Sequence, residues 1–196
     1  MGVTAVAVAI GLAAGLLAGG RPSGDRHTFR LWPALLFGVV AQWLPDLPGV
    51  PDGAAPLAVA CSYLALIAFA VANLRLVGMP VVLVGLVLNM AVIVANGGMP
   101  VRVEALVAAG IVEADEVSAV DLGPKRHLEE EADVLAVLGD VLPVAPLREV
   151  ISFGDLILAA GVADVAFRLL KPTVPRRRRL PTIPRARAAD PPHVGR

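Results

Sequence analysis

The chain has 196 residues, of which 57% are hydrophobic and 17% charged, and its 17 basic and 17 acidic residues give a net charge of zero. In soluble domains about a quarter of all residues are charged, so this composition argues against a soluble globular protein. The charges are concentrated in residues 21–30, 102–155 and 168–196, separated by long uncharged stretches. The single cysteine, Cys61, excludes an intramolecular disulfide.

Five apolar runs predict an all-α membrane protein with about five transmembrane helices. A helix needs about 20 apolar residues to cross a bilayer, and the second run is short for this purpose, although Trp32 and Trp43 near its ends are typical of membrane interfaces. Together the runs define a helical bundle within residues 1–171. The predicted spans are residues 3–18, 31–44, 56–74, 76–95 and 153–170.

Small residues in the first run predict a helix-packing surface. Gly11, Gly15 and Gly19 recur every four residues. This spacing places the three glycines on one helix face, where a second backbone can approach closely.

A polar loop, residues 96–152, separates the fourth and fifth runs. We expect it to contain short amphipathic helices, one over Val101–Ala109 that ends at Gly110 and one over His127–Leu138. Ser152 and Asp155 resemble a capping box at the start of the fifth helix. Residues 172–196 are rich in arginine and proline, and we expect this tail to be disordered.

The distribution of basic residues predicts the orientation of the helices. If all five runs cross the membrane, thirteen of the 17 basic residues lie on one side and four on the other. Basic residues favour the cytoplasmic side, so we expect the N-terminus and the 96–152 loop outside and the tail in the cytoplasm. The Ala-, Val-, Gly-, Pro- and Arg-rich composition suggests a bacterium, hence its cell membrane.

Four side chains near the predicted outer surface are candidates for chemistry. His127 and Glu131 would share a helix face and could bind a metal, but a solvated face is the better interpretation because two ligands do not make a site. Asp140 and Asp155 each follow a glycine and could meet at the membrane surface as paired acids. Helix capping explains Asp155 equally well.

Polar residues within the apolar runs are candidates for a transport pathway. Asn73, Asn89 and Asp164 lie there, where polar groups often have functional roles. We favour structural roles, with asparagines bonding between helices and Asp164 paired with Arg168 four residues later.

The sequence contains no recognisable nucleotide-binding, nucleophile, zinc-binding or nucleic-acid-binding motif. We therefore expect no cofactor, no bound metal and no nucleic acid. The expected partners are the lipid bilayer, anionic lipids at the basic tail, and a membrane-protein partner or a second copy of the chain.

Several motifs of the outer loop resemble those of an uncharacterised family of small bacterial multi-pass membrane proteins, classified only as a domain of unknown function. The resemblance covers residues 1–171 and implies no activity. It is carried by Asn96-Gly97-Gly98-Met99-Pro100-Val101, Glu104-Ala105-Leu106, Lys125-Arg126-His127, Leu138-Gly139-Asp140-Val141-Leu142-Pro143 and Ile151-Ser152-Phe153-Gly154-Asp155-Leu156.

Three functions follow as hypotheses. The first is a non-enzymatic envelope protein whose external loop packs on the helices and binds a partner or a lipid. The second is a membrane enzyme that acts on a lipid or envelope substrate through His127, Asp140 and Asp155. The third is a small-solute transporter. The first predicts that 96–101, 139–143 and 152–155 lie together at the outer surface, with Asn96 and Asp140 stabilising the loop.

Overall fold

The computed structural model describes residues 2–20, 29–47, 49–51, 54–117 and 120–170. The predicted disordered tail, residues 172–196, lies outside these ranges. Each apolar run contains one helix of at least 10 residues, and we call these five the long helices. The helices are α1 (Gly2–Leu17), α2 (Trp32–Ala41), α3 (Ala55–Ala72), α4 (Met79–Asn96), the short α5 (Val103–Ala108) and α6 (Phe153–Leu169).

The helices differ in their capacity to cross a membrane. By length and composition, α3 and α4 are long and apolar enough to do so, with 18 residues each, whereas α1 is apolar but shorter. The second helix is shorter than the predicted span 31–44, since it has only 10 residues. It therefore extends about 15 Å, which is half of a hydrocarbon core of about 30 Å. Pro45 lies in a 3-10 turn, Leu44–Asp46, that follows α2, and proline cannot continue the hydrogen bonding of a helix.

The long helices pack in the order α1, α6, α4, α3, α2. Between α3 and α4, a core cluster contains Leu66, Phe69, Ala70, Met79, Val82 and Leu86. Glycines bring α4 and α6 close together: a Cβ at Gly85 would lie 2.6 Å from the Gly154 carbonyl oxygen, and one at Gly161 2.6 Å from the Val82 nitrogen.

Large apolar side chains also point outward from these helices. Such an extensive apolar surface is unusual for a soluble monomer and suits a lipid environment. The exposed residues include Ile10, Leu16, Phe37, Val40, Leu57, Leu64, Val84, Val87 and Val94.

The predicted glycine surface of α1 holds for two of its three residues. A Cβ at Gly11 would collide with the Ala163 carbonyl of α6, and one at Gly15 would lie 3.0 Å from the Phe167 oxygen. The prediction is wrong for Gly19, whose Cβ position has no neighbour within 4 Å, adjacent residues apart, among the residues that the structure describes and whose φ is +77°. It lies beyond the end of α1, where a left-handed glycine terminates a helix.

The all-α prediction is wrong for the polar loop, residues 96–152, which contains a four-stranded mixed sheet. Its strands are β1 (Met99–Val101), β2 (Arg126–Leu128), β3 (Asp140–Val144) and β4 (Glu149–Ser152). The spatial order is β2-β1-β3-β4, with β1 parallel to β2 and β3, and β3 antiparallel to β4. We call residues 99–152 the sheet unit.

The predicted helix over His127–Leu138 does not form. Its first residues pair with β1, where His127 lies opposite Pro100, and Leu135 adopts a left-handed φ of 58° before a short 3-10 turn. Leu128 packs against a small core around Val101 and Leu106. The apolar spacing suggested a helix, but pairing and burial against β1 override this local preference. Val101 likewise belongs to β1, so α5 begins only at Val103.

Candidate functional site

The first turn of α6 carries the predicted capping box. The Asp155 backbone N–H donates to Ser152 Oγ at 2.9 Å, and the Ser152 N–H donates to Asp155 Oδ2 at 3.4 Å. The two side chains thus satisfy backbone donors that an α-helix leaves unpaired at its start. This prediction is confirmed.

Asn89 joins this helix start to the middle of the bundle. Its side-chain Nδ2 donates to Asp155 Oδ1 at 2.7 Å, and its Oδ1 accepts from Ser152 Oγ at 2.8 Å. Asn89 is 1% exposed and Ser152 is fully buried. Its amide therefore bonds between helices, the structural role that we favoured for it.

Gly154 allows this contact. A Cβ at position 154 would collide with Asn89 Oδ1, so a side chain here would push α6 away from α4. The glycine of the Gly154-Asp155 pair is thus required by the close approach of the two helices and not by a turn.

Asp140 lies beside this network at the start of β3. It pairs with Val101 of β1 on one side and with Ser152 of β4 on the other, and it is 1% exposed. The Nε of Arg126 lies 2.9 Å from its Oδ2. Neither carboxylate oxygen accepts a hydrogen bond from the described residues, so this contact is an ion pair without hydrogen-bond alignment.

Burial dominates the acidity of Asp140. It raises the pKa of the carboxyl to about 7, against the opposing effect of the Arg126 guanidinium, and the nearby Asp155 carboxylate raises it further. A carboxyl group with this pKa exchanges its proton near neutral pH. Asp140 is therefore the group in this region that is suited to proton transfer or to a pH response.

Tyr63 of α3 completes the cluster. It interacts with the Asn89 side chain and with the charges of Asp155, Asp140 and Arg126. We call the cluster the polar junction because it connects α3, α4 and α6 with β2, β3 and β4. Its members are Tyr63, Asn89, Arg126, Asp140, Ser152 and Asp155.

Beyond the polar junction, the sheet unit bonds to the ends of α1 and α2. The Glu149 carboxylate accepts from the Gly2 and Val3 backbone N–H groups at 2.8 and 3.1 Å, and although burial opposes it, these bonds lower the pKa of Glu149. Lys125 Nζ donates to the Gln42 carbonyl oxygen, just after α2, at 2.8 Å.

Asn96, the last residue of α4, bonds to the sheet unit. Its Nδ2 donates to the Val134 carbonyl oxygen and its Oδ1 accepts from the Val134 N–H, both at 2.8 Å. Gly97, which follows, ends α4 with a φ of +70°.

His127 does not join Asp140 and Asp155. Neighbouring strand residues point to opposite faces, and it is Arg126 that contacts Asp140, while His127 Nε2 lies 3.0 Å from Asp133 Oδ1. Glu131 is exposed and the segment is not helical, so the predicted His127–Glu131 face does not exist. In the described part of the chain, no three His, Cys, Asp or Glu side chains are grouped to hold a metal ion.

The remaining motif residues shape the backbone around the sheet. Met99 and Pro100 are buried in β1. A Cβ at Gly98 would lie 3.1 Å from His127 Nδ1, and one at Gly139 would lie 2.5 Å from the Pro100 carbonyl oxygen. Pro143 is exposed in β3 and takes no part in the polar junction.

The polar residues of the apolar runs do not share one cavity. Asn73 bonds to the backbone of Arg30, Asn89 belongs to the polar junction, and Asp164 pairs with Arg168 at 2.9 Å. Each has a local partner, as expected for structural roles. The arrangement gives no support to the transporter hypothesis.

Sequence reasoning missed three residues of this region. Arg126 lies in a predicted motif, but the sequence indicates no role for it. The sequence likewise predicts no role for Tyr63 or Glu149. A tyrosine within an apolar run is a usable signal, because its hydroxyl needs a partner when buried. Glu149 carried no local signal, since its partners lie at the other end of the described chain.

Residues 26–167 match a family of unknown function, DUF5317. The resemblance to an uncharacterised family is therefore confirmed, although the match begins after α1. No curated protein matches the chain. No solved structure matches it either.

Proposed function

We propose that this chain, which belongs to the family of unknown function DUF5317, is a non-enzymatic protein of the cell envelope. Its five long helices cross the bacterial cell membrane with the N-terminus outside, and the sheet unit lies on their outer ends. In this arrangement the sheet unit lies at the external membrane surface and is fixed to the helices.

One observation carries this proposal: the sheet unit bonds to one end of each of four long helices. It contacts the N-terminal end of α1, the C-terminal end of α2, the C-terminal end of α4 and the N-terminal end of α6. Helices that cross a membrane in alternating directions bring these four ends to the same side. The short α2 would cross with help from the Leu44–Asp46 turn or from local thinning of the bilayer.

The sheet unit carries an exposed apolar tip, which is formed by Val134, Leu135 and Val137. These side chains are 56%, 47% and 60% exposed. The bonds between Asn96 and the Val134 backbone hold the tip beside the end of α4, a helix end at which Val94 is also exposed. This position is the membrane interface in the proposed topology, so we assign the tip to envelope lipid.

Cysteine labelling tests the topology. In a Cys61→Ala background, Glu131→Cys in the sheet unit should react with a membrane-impermeant maleimide on intact cells. Arg75→Cys, between α3 and α4, should react only after permeabilisation. Labelling of both cysteines on intact cells, or of neither, would contradict the arrangement.

A membrane enzyme is the second candidate, and the buried Asp140 carboxyl favours it. The pKa of about 7 suits a general acid or base at neutral pH. In this version Asp140 and Asp155 would act without His127, whose partner is Asp133. Turnover of lipid extract by purified protein, abolished in Asp140→Asn, would favour this alternative.

A further inference from the structure

An open groove lies at the end of the helices opposite the sheet unit. It has a volume of about 720 Å³ and is lined by Arg30, Leu31, Val71, Ala72, Leu74 and Arg75. These residues come from the segment before α2, from the C-terminal end of α3 and from the turn that follows α3. The groove is therefore formed between two packed helices at one level of the bundle.

Both arginines of this groove are available to an anion. Arg30 and Arg75 are exposed, and neither forms an ion pair with the residues that the structure describes. A guanidinium is suited to binding a phosphate group because its planar N–H donors match two phosphate oxygens.

The backbone at Arg30 is held in place by a buried side chain. Asn73, 5% exposed, accepts from the Arg30 N–H at 2.9 Å and donates to its carbonyl oxygen at 2.7 Å. The next residue, Leu31, has a φ of 55°. A non-glycine residue in this left-handed region is uncommon and costs conformational energy, and such strain is concentrated at functional sites.

The walls of the groove are apolar. Leu31, Val71 and Leu74 are 54%, 51% and 42% exposed, and Trp32 beside them is 61% exposed, as is typical of a tryptophan at the membrane interface. A ligand with both an anionic head and an aliphatic chain matches this combination of guanidinium groups and apolar walls better than a free phosphate ion.

We infer that this groove binds the phosphate of an anionic phospholipid of the inner leaflet between Arg30 and Arg75, with an acyl chain along Leu31, Val71 and Leu74. The inference rests on the proposed topology, which places this end of the helices in the cytoplasm. It assigns a lipid site to the folded bundle, separate from any attraction of lipids to the basic tail.

Lipid-dependent thermal stability of the full-length protein in neutral detergent micelles tests this site. Phosphatidylglycerol should raise the midpoint of unfolding, and phosphatidylcholine should do so much less. In the double variant Arg30→Gln with Arg75→Gln, the apparent affinity for phosphatidylglycerol should fall by roughly tenfold or more. Each of the two guanidinium groups contributes its own electrostatic attraction to the binding of the lipid phosphate. The variant with both arginines replaced by lysine should retain part of the response.

A matched control replaces Arg176, Arg177, Arg178 and Arg179 of the tail by glutamine, and its response should equal that of the wild type. An unchanged response in the Arg30/Arg75 double variant would overturn the inference, as would loss of the response in the tail variant. An equal rise with inorganic phosphate alone would overturn the lipid assignment. Failure here with correct cysteine labelling would refute the groove but not the topology.

Discussion

The side chain of Asn89, in the middle of α4, donates to Asp155 at the start of α6 over 2.7 Å. The same amide accepts from Ser152, the last residue of β4. One asparagine within an apolar helix thus bonds both to a neighbouring helix and to the strand that leads into it. This contact explains how a polar sheet unit is fixed to an apolar bundle.

Asn89→Ala should destabilise the protein strongly. It removes the acceptor of the buried Ser152 hydroxyl proton and one donor to the Asp155 carboxylate, and a buried polar group that loses its partner costs about 1–3 kcal/mol. Asn96→Ala is the matched control, because its bonds to Val134 lie at an exposed site where water can replace them. Unfolding by denaturing detergent should show a clearly larger loss for Asn89→Ala, and equal losses would refute the role of the polar junction.

Asp140 should make stability depend on pH. In the folded state burial raises the pKa of the Asp140 carboxyl to about 7, whereas an unfolded aspartate has a pKa of about 3.9. The free energy of unfolding should therefore decrease as the pH rises from about 4 to about 7 and become level above that range. Asp140→Asn stays neutral, so its stability relative to the wild type should increase with pH by up to a few kcal/mol.

Thermal unfolding at several pH values measures this difference. The control is Glu130→Gln at an exposed position of the same unit, which should follow the wild-type profile. An Asp140→Asn profile with the wild-type slope would show that this carboxyl is not the responsible group.

Gly11→Val should weaken the packing of α1 on α6. The added side chain would collide with the Ala163 carbonyl, and overpacking typically costs about 1–3 kcal/mol. Gly19→Asn should be nearly neutral, since position 19 is open and asparagine tolerates its positive φ. Thermal midpoints in micelles compare the two variants, and the reverse order of stability would contradict the packing.

The apolar tip should contact lipid. An environment-sensitive fluorophore on Val137→Cys, in the Cys61→Ala background and in nanodiscs, should be quenched by lipids that carry a nitroxide near the headgroup. The same fluorophore on Glu131→Cys should be quenched much less. Equal, weak quenching at both positions would show that the tip faces water or a protein partner instead.

The helices could be predicted from the sequence because their signals are local. The capping box at Ser152 and the Asp164–Arg168 pair involve residues three and four positions apart, and each apolar run contained a long helix. The length of α2 was overestimated because apolar character continues through Trp43 and Leu44, where the α-helix has already ended.

The sheet could not be predicted because its signals are non-local. Strands β1 and β2 have three residues each, too few for an alternating pattern to be distinguished from chance. The bonds that fix the sheet unit connect distant positions, 66 residues apart for Asn89 and Asp155 and 147 apart for Gly2 and Glu149. Proximity of Asp140 and Asp155 was foreseeable as one option, but the ion pair of Arg126 with Asp140 was not.

Hydrogen exchange of the reconstituted protein at neutral pH tests most directly whether the sheet unit is packed on the helices. The amides of Met99, Arg102 and Glu129 donate to the Lys125, Asp140 and Val101 carbonyls. They should therefore exchange slowly, with protection close to that of the C-terminal half of α4 and lost together with it in Asn89→Ala. Exchange of these amides at the rate of a free loop, with α4 still protected, would contradict the account.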